Sequence, residues 1–189
     1  MGSQASNLSR GLQSERGVAL VVAVMTMLLM LALGAAVVIT TSSEALIAAG
    51  FRGSREAFYA VEAGAESAVA DLAVEPDWEM VRNGNVQSPF VDGAPGSRRL
   101  EDGSVIDVAA IAQDHAGWHL YAHGFLKELL PGGDSTPLYI VALVAADVAS
   151  TDVKLHVEAL GPRGVRSAVE VALRKVDEGI RVRSWKRAE

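Results

Sequence analysis

The feature that most constrains the fold is an uncharged stretch of twenty-three residues, Val18–Thr40, directly after Arg16-Gly17. At about 1.5 Å of rise per residue, a helix of this length crosses the roughly 30 Å hydrocarbon core of a bilayer. Helix-compatible sequence continues to about Ala73. The sequence therefore predicts a transmembrane helix over residues 18–40 that continues as an amphipathic stalk helix over residues 41–74.

Charge is distributed unevenly along the 189 residues, whose net charge is −6. Residues 1–17 carry +1, residues 18–160 carry −11 (seven basic and eighteen acidic groups), and residues 161–189 carry +4. Nucleic-acid binding needs a concentrated basic surface, so this pattern gives it no support. Regions of opposite sign are compatible with packing against partner subunits, although an ordinary solvated surface has the same pattern. The absence of cysteine excludes disulfides, thiolate catalysis and cysteine-ligated metals.

The polar segment 1–17 resembles a leader more than a secretory signal. A cleaved signal has an apolar core of roughly 7–15 residues followed by small residues at the cleavage site. Here the apolar run is longer, and the small residues around Gly34 lie inside it. We expect a spanning anchor with its N-terminus in the cytoplasm and its C-terminal domain exported. Gly34 is typical either of close contact between helices or of the ordinary tolerance of small residues in membrane helices.

Three segments carry a more specific signal: Ser14–Val22 at the junction, Glu44–Arg52, and Ala57–Glu66 with its Phe58-Tyr59 pair. Together they resemble the type IV prepilin-like proteins, in particular the minor pilins that share the PilX N-terminal region. The resemblance covers about residues 14–74. It implies a structural subunit without enzymatic activity or cofactor, built on the α+β pilin plan.

The resemblance also implies a maturation route. A prepilin peptidase would cut after Gly17 and methylate the new terminal amine of Val18. Before assembly, the chain would reside in the bacterial inner membrane as a single-pass protein. The inner-membrane assembly platform would then move it into a pilus on the cell surface, among other major and minor pilins, where such filaments serve functions such as cell adhesion.

Val22 departs from the family pattern. Counted from Val18 it is the fifth mature residue, where most major pilins carry glutamate. A carboxylate at membrane depth costs a few kcal/mol unless it is paired, and in pilins it is thought to pair with the terminal amine of the preceding subunit. A subunit that enters first has no preceding amine, so Val22 favours a tip-proximal or assembly-initiating subunit. The alternative is that the family simply tolerates an apolar residue here.

The stalk segment has apolar residues near the 3.6-residue helical period, from Leu46 to Leu72. Each glycine weakens an isolated helix by about 1 kcal/mol relative to alanine, so we expect a bend or a melted turn between Gly50 and Gly53. Phe58 and Tyr59 are predicted to fill the contact between the stalk and the globular domain. The complete set of residues predicted to pack in the filament or against the helix is Val22, Gly34, Phe51, Phe58, Tyr59, Glu62 and Gly64.

The rest of the chain predicts a β-rich domain over residues 98–178, after a linker loop at 75–97. Asp102-Gly103 predicts a hairpin turn, and Gly161–Gly164 predicts another turn. We expect an antiparallel sheet of four to six strands packed on the apolar face of the stalk. The predicted strands are Arg98–Leu100, Ser104–Ile111, Trp118–Phe125, Leu138–Val148 (a candidate central strand), Val153–Leu160 and Val165–Val176. Residues 179–189 are predicted to form a basic tail, which either contacts a partner or, as the preferred interpretation, is a frayed terminus.

No motif predicts catalysis, and no metal site is predicted. His119 and His123 would share a face of a helix, but their segment alternates as a strand, where four residues span about 13 Å, too far for one ion. His115 continues the same spacing. Asp92-Gly93 and Gly132–Ser135 are better interpreted as turns than as calcium loops.

Two other functions remain open at this point. One is a pseudopilin of a type II secretion system, similar to the K-type pseudopilins, which usually carry a larger globular domain. The other is an unprocessed, membrane-anchored periplasmic binding module, which would need a well-formed ligand pocket in its β domain.

Overall fold

The computed structural model describes residues 5–129, 137–177 and 179–188, with side chains from Gly17 onward. The predicted turn at Gly132–Ser135 lies outside the described residues. The helices are α1 (Ala5–Ala73), α2 (Trp78–Arg82), α3 (Val108–Asp114) and α4 (Leu126–Leu129), with a single 3₁₀ turn at Pro162–Gly164. The strands are β1 (Ser97–Arg99), β2 (Val105–Asp107), β3 (His119–Phe125), β4 (Tyr139–Ala146), β5 (Val153–Leu160), β6 (Arg166–Val176) and β7 (Gly179–Ala188).

The chain forms two compact units, Met1–Ala49 and Gly50–Glu189, and α1 contributes to both. The helix is continuous through Gly50 and Gly53, so the prediction of a melted turn there is wrong. Helix propagation is cooperative, and a penalty of about 1 kcal/mol per glycine does not stop a helix that continues on both sides. Gly53 also has a packing role, because a Cβ there would lie 3.1 Å from Cγ2 of Val165.

The second unit is built on a five-stranded antiparallel sheet in the order β3-β4-β5-β6-β7. The predicted α+β fold is confirmed. β5, not the more apolar β4, is the central strand. β4 is nevertheless buried over seven of its eight residues, because both faces of the sheet are covered. The strand apolarity predicted burial correctly, but apolarity does not determine strand order.

The C-terminal part of α1 covers one face of the sheet with small side chains. Gly64 is buried, and a Cβ there would lie 2.8 Å from Cγ2 of Ile140 and 3.3 Å from Cγ1 of Val157. The absence of a side chain at Gly64 therefore allows the helix backbone to approach the sheet closely. The buried apolar residues of this helix face are Ala57, Ala60, Val61, Ala65, Ala68 and Leu72.

The opposite face is covered by the β1–β2 hairpin and by α3. The hairpin predicted around Asp102-Gly103 is confirmed, with Arg99 opposite Val105. The predicted second strand is shorter than expected, because the Asp107 side chain accepts a hydrogen bond from the Ala110 N–H and caps α3. The core on this side consists of Leu100, Ile106, Val108, Tyr139, Val141 and Leu143.

The basic C-terminal segment is a strand, and the prediction of a frayed terminus is wrong for residues 179–188. β7 pairs along β6, with Lys186 opposite Glu170 and its Nζ 2.8 Å from Oε2 of that glutamate. Seven of the ten residues of β7 are exposed, and its many basic residues fit an edge strand. Such a strand is difficult to distinguish from a charged tail in the sequence.

A buried polar network attaches the linker to the sheet. Arg98 donates to Asp92 from Nε (2.9 Å) and Nη2 (2.8 Å), and the Tyr139 hydroxyl donates to Oδ1 of Asp92 at 2.9 Å. Nδ1 of the fully buried His123 lies 2.9 Å from the same oxygen. Burial alone would raise the pKa of Asp92, but the hydrogen bonds from Arg98 and Tyr139 and the Arg98 charge outweigh it and lower that pKa. Asp92 is therefore a structural carboxylate that holds the linker.

Asp92→Asn should lower the free energy of unfolding at pH 7 by about 1–3 kcal/mol, because it weakens charge-assisted hydrogen bonds in a buried network. The folded pKa of Asp92 lies below the unfolded value of about 3.9. Its stabilisation is therefore complete above that value and is lost as the pH falls through the folded pKa. Denaturant unfolding of the full chain in detergent, from pH 7 to pH 3, should show the two curves converging. The exposed Asp114→Asn is the control, and a constant difference at all pH values would contradict the prediction.

Candidate functional site

The first unit presents a long apolar helix surface. Every side chain from Gly17 to Ala48 is exposed, including Val18 (62 %) and Leu31 (71 %). Among the residues that the structure describes, α1 is the one helix long and apolar enough to cross a membrane. Exposure of this much apolar surface in water is unfavourable. This segment therefore fits a membrane or a bundle of apolar helices.

The hydroxyl groups of this segment satisfy their own hydrogen bonds. Thr26 donates to the Val22 carbonyl at 2.5 Å, and Thr40 donates to the Ala36 carbonyl at 2.9 Å. Thr41, Ser42 and Ser43 make equivalent bonds to carbonyls four residues earlier. A hydroxyl bonded in this way loses less on entering an apolar environment, where unpaired polar groups are costly. The polar residues near the end of the predicted span are thus compatible with it.

The junction residues lie within α1 and are accessible. Nothing approaches within 4 Å of a Cβ placed at Gly17 or at Gly34, and Val22 is 57 % exposed. The helix begins at Ala5, so the Gly17-Val18 peptide bond is in a helical segment. A peptidase that binds its substrate in an extended form would have to unwind this segment. Glycine lowers the cost of unwinding by about 1 kcal/mol relative to alanine.

Of the two aromatic residues predicted to fill the contact between the stalk and the globular domain, Phe58 is partly buried and Tyr59 is exposed. Tyr59 is 61 % exposed and Phe51 is 71 % exposed, so the prediction that Tyr59 fills the contact with the sheet is wrong. Phe58 is half-buried, and its ring lies 5.3 Å from the Arg187 guanidinium on β7. The helix uses alanine and glycine against the sheet, because the sheet already supplies bulky valine and leucine side chains.

α1 and β7 meet at this position and form a shallow pocket. We call it the aromatic–arginine surface, and it is lined by Phe51, Ser54, Arg55, Phe58, Tyr59 and Arg187. Arg187 was not predicted as a site residue, because its position depends on the strand pairing of β7. The two other predicted packing residues in this part of α1 differ from one another: Glu62 is half-buried, whereas Gly64 is buried against the sheet.

The histidines group differently from their sequence spacing. His119 lies opposite Val144 and His123 lies opposite Val141, with a register shift between Leu120 and Ala122. The shift places His119 on the α1 side of the sheet and His123 in the opposite core, so the exclusion of this pair as metal ligands is supported. In the described part of the chain, His115 instead meets His156 and Glu158. This group was not predicted from the sequence, although His156 and Glu158 lie at alternate positions of β5 and therefore share a face.

The comparisons with known proteins bear on the N-terminal region. Residues 16–66 match the family model described as PilX N-terminal. No curated protein and no solved structure matches the chain. The family match supports a PilX-like member of the type IV pilin family, a class that is structural rather than catalytic. The resemblance predicted from Ser14–Val22 and Ala57–Glu66 is confirmed, and with the apolar helix it fits a membrane-anchored protein.

Proposed function

We propose that this protein is a minor subunit of a type IV pilus and acts near the filament tip or at the start of assembly. The observation that carries the proposal is the exposed, uncharged helix surface of Val18–Thr40 in a chain whose residues 16–66 match the PilX N-terminal family. Such a surface has two suitable environments, a bilayer and a bundle of similar helices. Transfer from the first to the second is the mechanism of pilin assembly.

Processing at Gly17 makes the transfer possible. A prepilin peptidase cuts after Gly17 in the inner membrane and methylates the amine of Val18, while the second unit faces the periplasm. The assembly platform then extracts the helix and places it among other major and minor pilins. The accessible position of Gly17 and the low cost of unwinding a glycine support this step.

Val22 supports a position at the start of the filament. Its exposed apolar side chain can lie in the hydrocarbon region without a charged partner. A glutamate in this position would need one, at a cost of a few kcal/mol when unpaired. A first subunit has no earlier terminal amine to offer that pairing. The aromatic–arginine surface supplies a second contact with neighbouring pilins, because exposed aromatic and arginine side chains are typical of interface centres.

The proposal predicts two linked results. The wild-type chain recovered from surface filaments should begin at N-methylated Val18, and it should be far less abundant than the major pilin. Intact-protein mass spectrometry of sheared filaments measures both. Immunogold labelling of the second unit should mark filament ends. An N-terminus at Met1 in cells with an active prepilin peptidase would contradict the proposal and favour an anchored binding module, whereas a processed chain recovered only with secretion components would favour a pseudopilin.

A further inference from the structure

A cluster of three metal-ligating side chains lies on the α3 side of the sheet. His156 and Glu158 are alternate residues of β5 and point to the same face. His115 follows the last residue of α3 and reaches the same point. One ligand atom from each residue lies within 4.8 Å of the others. The side chains of His156 and Glu158 are 6 % and 1 % exposed, and that of His115 is 24 % exposed.

The hydrogen bonding of His115 leaves its second ring nitrogen available as a metal ligand. Its Nδ1 lies 2.9 Å from the Ile111 carbonyl, which can only accept, so Nδ1 carries the hydrogen. In the neutral ring, Nε2 is then a bare lone pair, yet it faces Oε1 of Glu158 at 3.7 Å. Two lone pairs facing each other repel. Either a proton on Nε2 or a metal ion bound to it removes the repulsion.

A carboxylate lies close to the outer ring nitrogen of the second histidine. Nδ1 of His156 is buried without a hydrogen-bond partner, and Oε1 of Glu170 lies 3.9 Å from it. A movement of less than about 1 Å would let Nδ1 donate to that carboxylate at ordinary hydrogen-bond distance. Nε2 would then be free to bind a metal. A carboxylate or carbonyl behind each ligating imidazole is the usual arrangement in metal sites.

The Glu158 carboxylate can accept a further ligand. Its Oε1 accepts hydrogen bonds from His156 (2.9 Å) and Arg166, while its Oε2 is buried without a partner. The Arg166 side chain is 58 % exposed and can move into solvent when another cation replaces it. Burial would raise the pKa of Glu158, but the hydrogen bonds from His156 and Arg166 outweigh it and keep that pKa below its ordinary value. The carboxylate is thus ready to bind a cation.

We propose that His115, His156 and Glu158 bind one divalent transition-metal ion, zinc first, and that the ion fastens α3 to β5. Two imidazoles and one carboxylate are a zinc ligand set and leave a fourth position for water. Calcium and magnesium prefer oxygen ligands. A site with two imidazoles therefore favours a transition metal over either of these ions. Ligand atoms about 2.0–2.1 Å from a tetrahedral ion lie about 3.3 Å apart, inside the range spanned by the present contacts.

The test is a calorimetric titration of the full chain in detergent micelles with zinc chloride, after a chelator has been used and removed. We expect one ion per chain and a rise in melting temperature with zinc concentration. His115→Ala should weaken binding at least about tenfold, and Glu170→Gln, behind His156, should weaken it about 10–100-fold. His119→Ala is the matched control, since His119 is exposed on the other side of the sheet.

His115 is the best residue for this test because its partial exposure limits structural damage, which circular dichroism of the metal-free variant checks. Unchanged zinc affinity in folded His115→Ala would overturn the site. So would an equal loss in His119→Ala, or the absence of binding to the wild-type chain. None of these results would affect the proposal of a pilus subunit, whose test is the mature N-terminus.

Discussion

Gly64→Leu should lower the free energy of unfolding of the unit formed by residues 50–189 by about 2–3 kcal/mol. A Cβ at this position already lies 2.8 Å from Cγ2 of Ile140 and 3.3 Å from Cγ1 of Val157. Both neighbours are β-branched side chains with little rotamer freedom, so the helix or the sheet has to move. Overpacking of a well-packed core typically costs 1–3 kcal/mol. The higher helix propensity of leucine offsets less than about 1 kcal/mol of this destabilisation.

Denaturant unfolding followed by tryptophan fluorescence measures the effect selectively. All three tryptophans, Trp78, Trp118 and Trp185, lie in this unit. Gly50→Leu is the matched control, because it is the same change in the same helix at a position with nothing within 4 Å of the new Cβ. It should be neutral or slightly stabilising. Equal stability of the two variants would show that the helix does not depend on close approach at Gly64.

Much of the second unit follows from local sequence signals. Alternating and continuous apolar runs predicted β3, β5 and β6 to within one or two residues, and Asp102-Gly103 predicted the hairpin turn. These signals are local, since a strand period or a turn residue acts through its immediate neighbours. Strand order is not local. β5 is central because two strands lie on each side of it, and β7 is recognisable only once β6 is present beside it.

The residues of the candidate surfaces also differ in whether local sequence is enough to predict them. Gly17 and Val22 could be identified by position relative to the apolar run, since their significance depends on sequence distance alone. The aromatic–arginine surface could not, because Arg187 reaches Phe58 through the pairing of a C-terminal strand with the sheet. The sequence also overestimated Tyr59 as a core residue. Aromatic residues at helical spacing fit a core, but here a face of alanine and glycine occupies the contact.

Gly17→Glu should abolish processing and remove the protein from surface filaments. Gly17 has no side chain, so a peptidase can approach its backbone closely, and unwinding of the helix costs least there. Glutamate adds bulk next to the scissile bond, a higher helix propensity than glycine, and a charge beside the membrane segment. The unprocessed chain should stay in the membrane fraction with the 17-residue leader attached. Intact mass and filament shearing together measure the outcome.

Gly11→Glu is the matched control, since it makes the same change in the same leader six residues before Gly17. It should be processed normally and should enter filaments. The contrast separates a requirement at the cleavage site from a general effect of negative charge in the leader. If Gly17→Glu loses the leader as completely as the control, processing after Gly17 is wrong, and α1 serves as a permanent anchor. If both variants retain the leader, charge in the leader is the determinant, and the role of Gly17 at the junction is not supported.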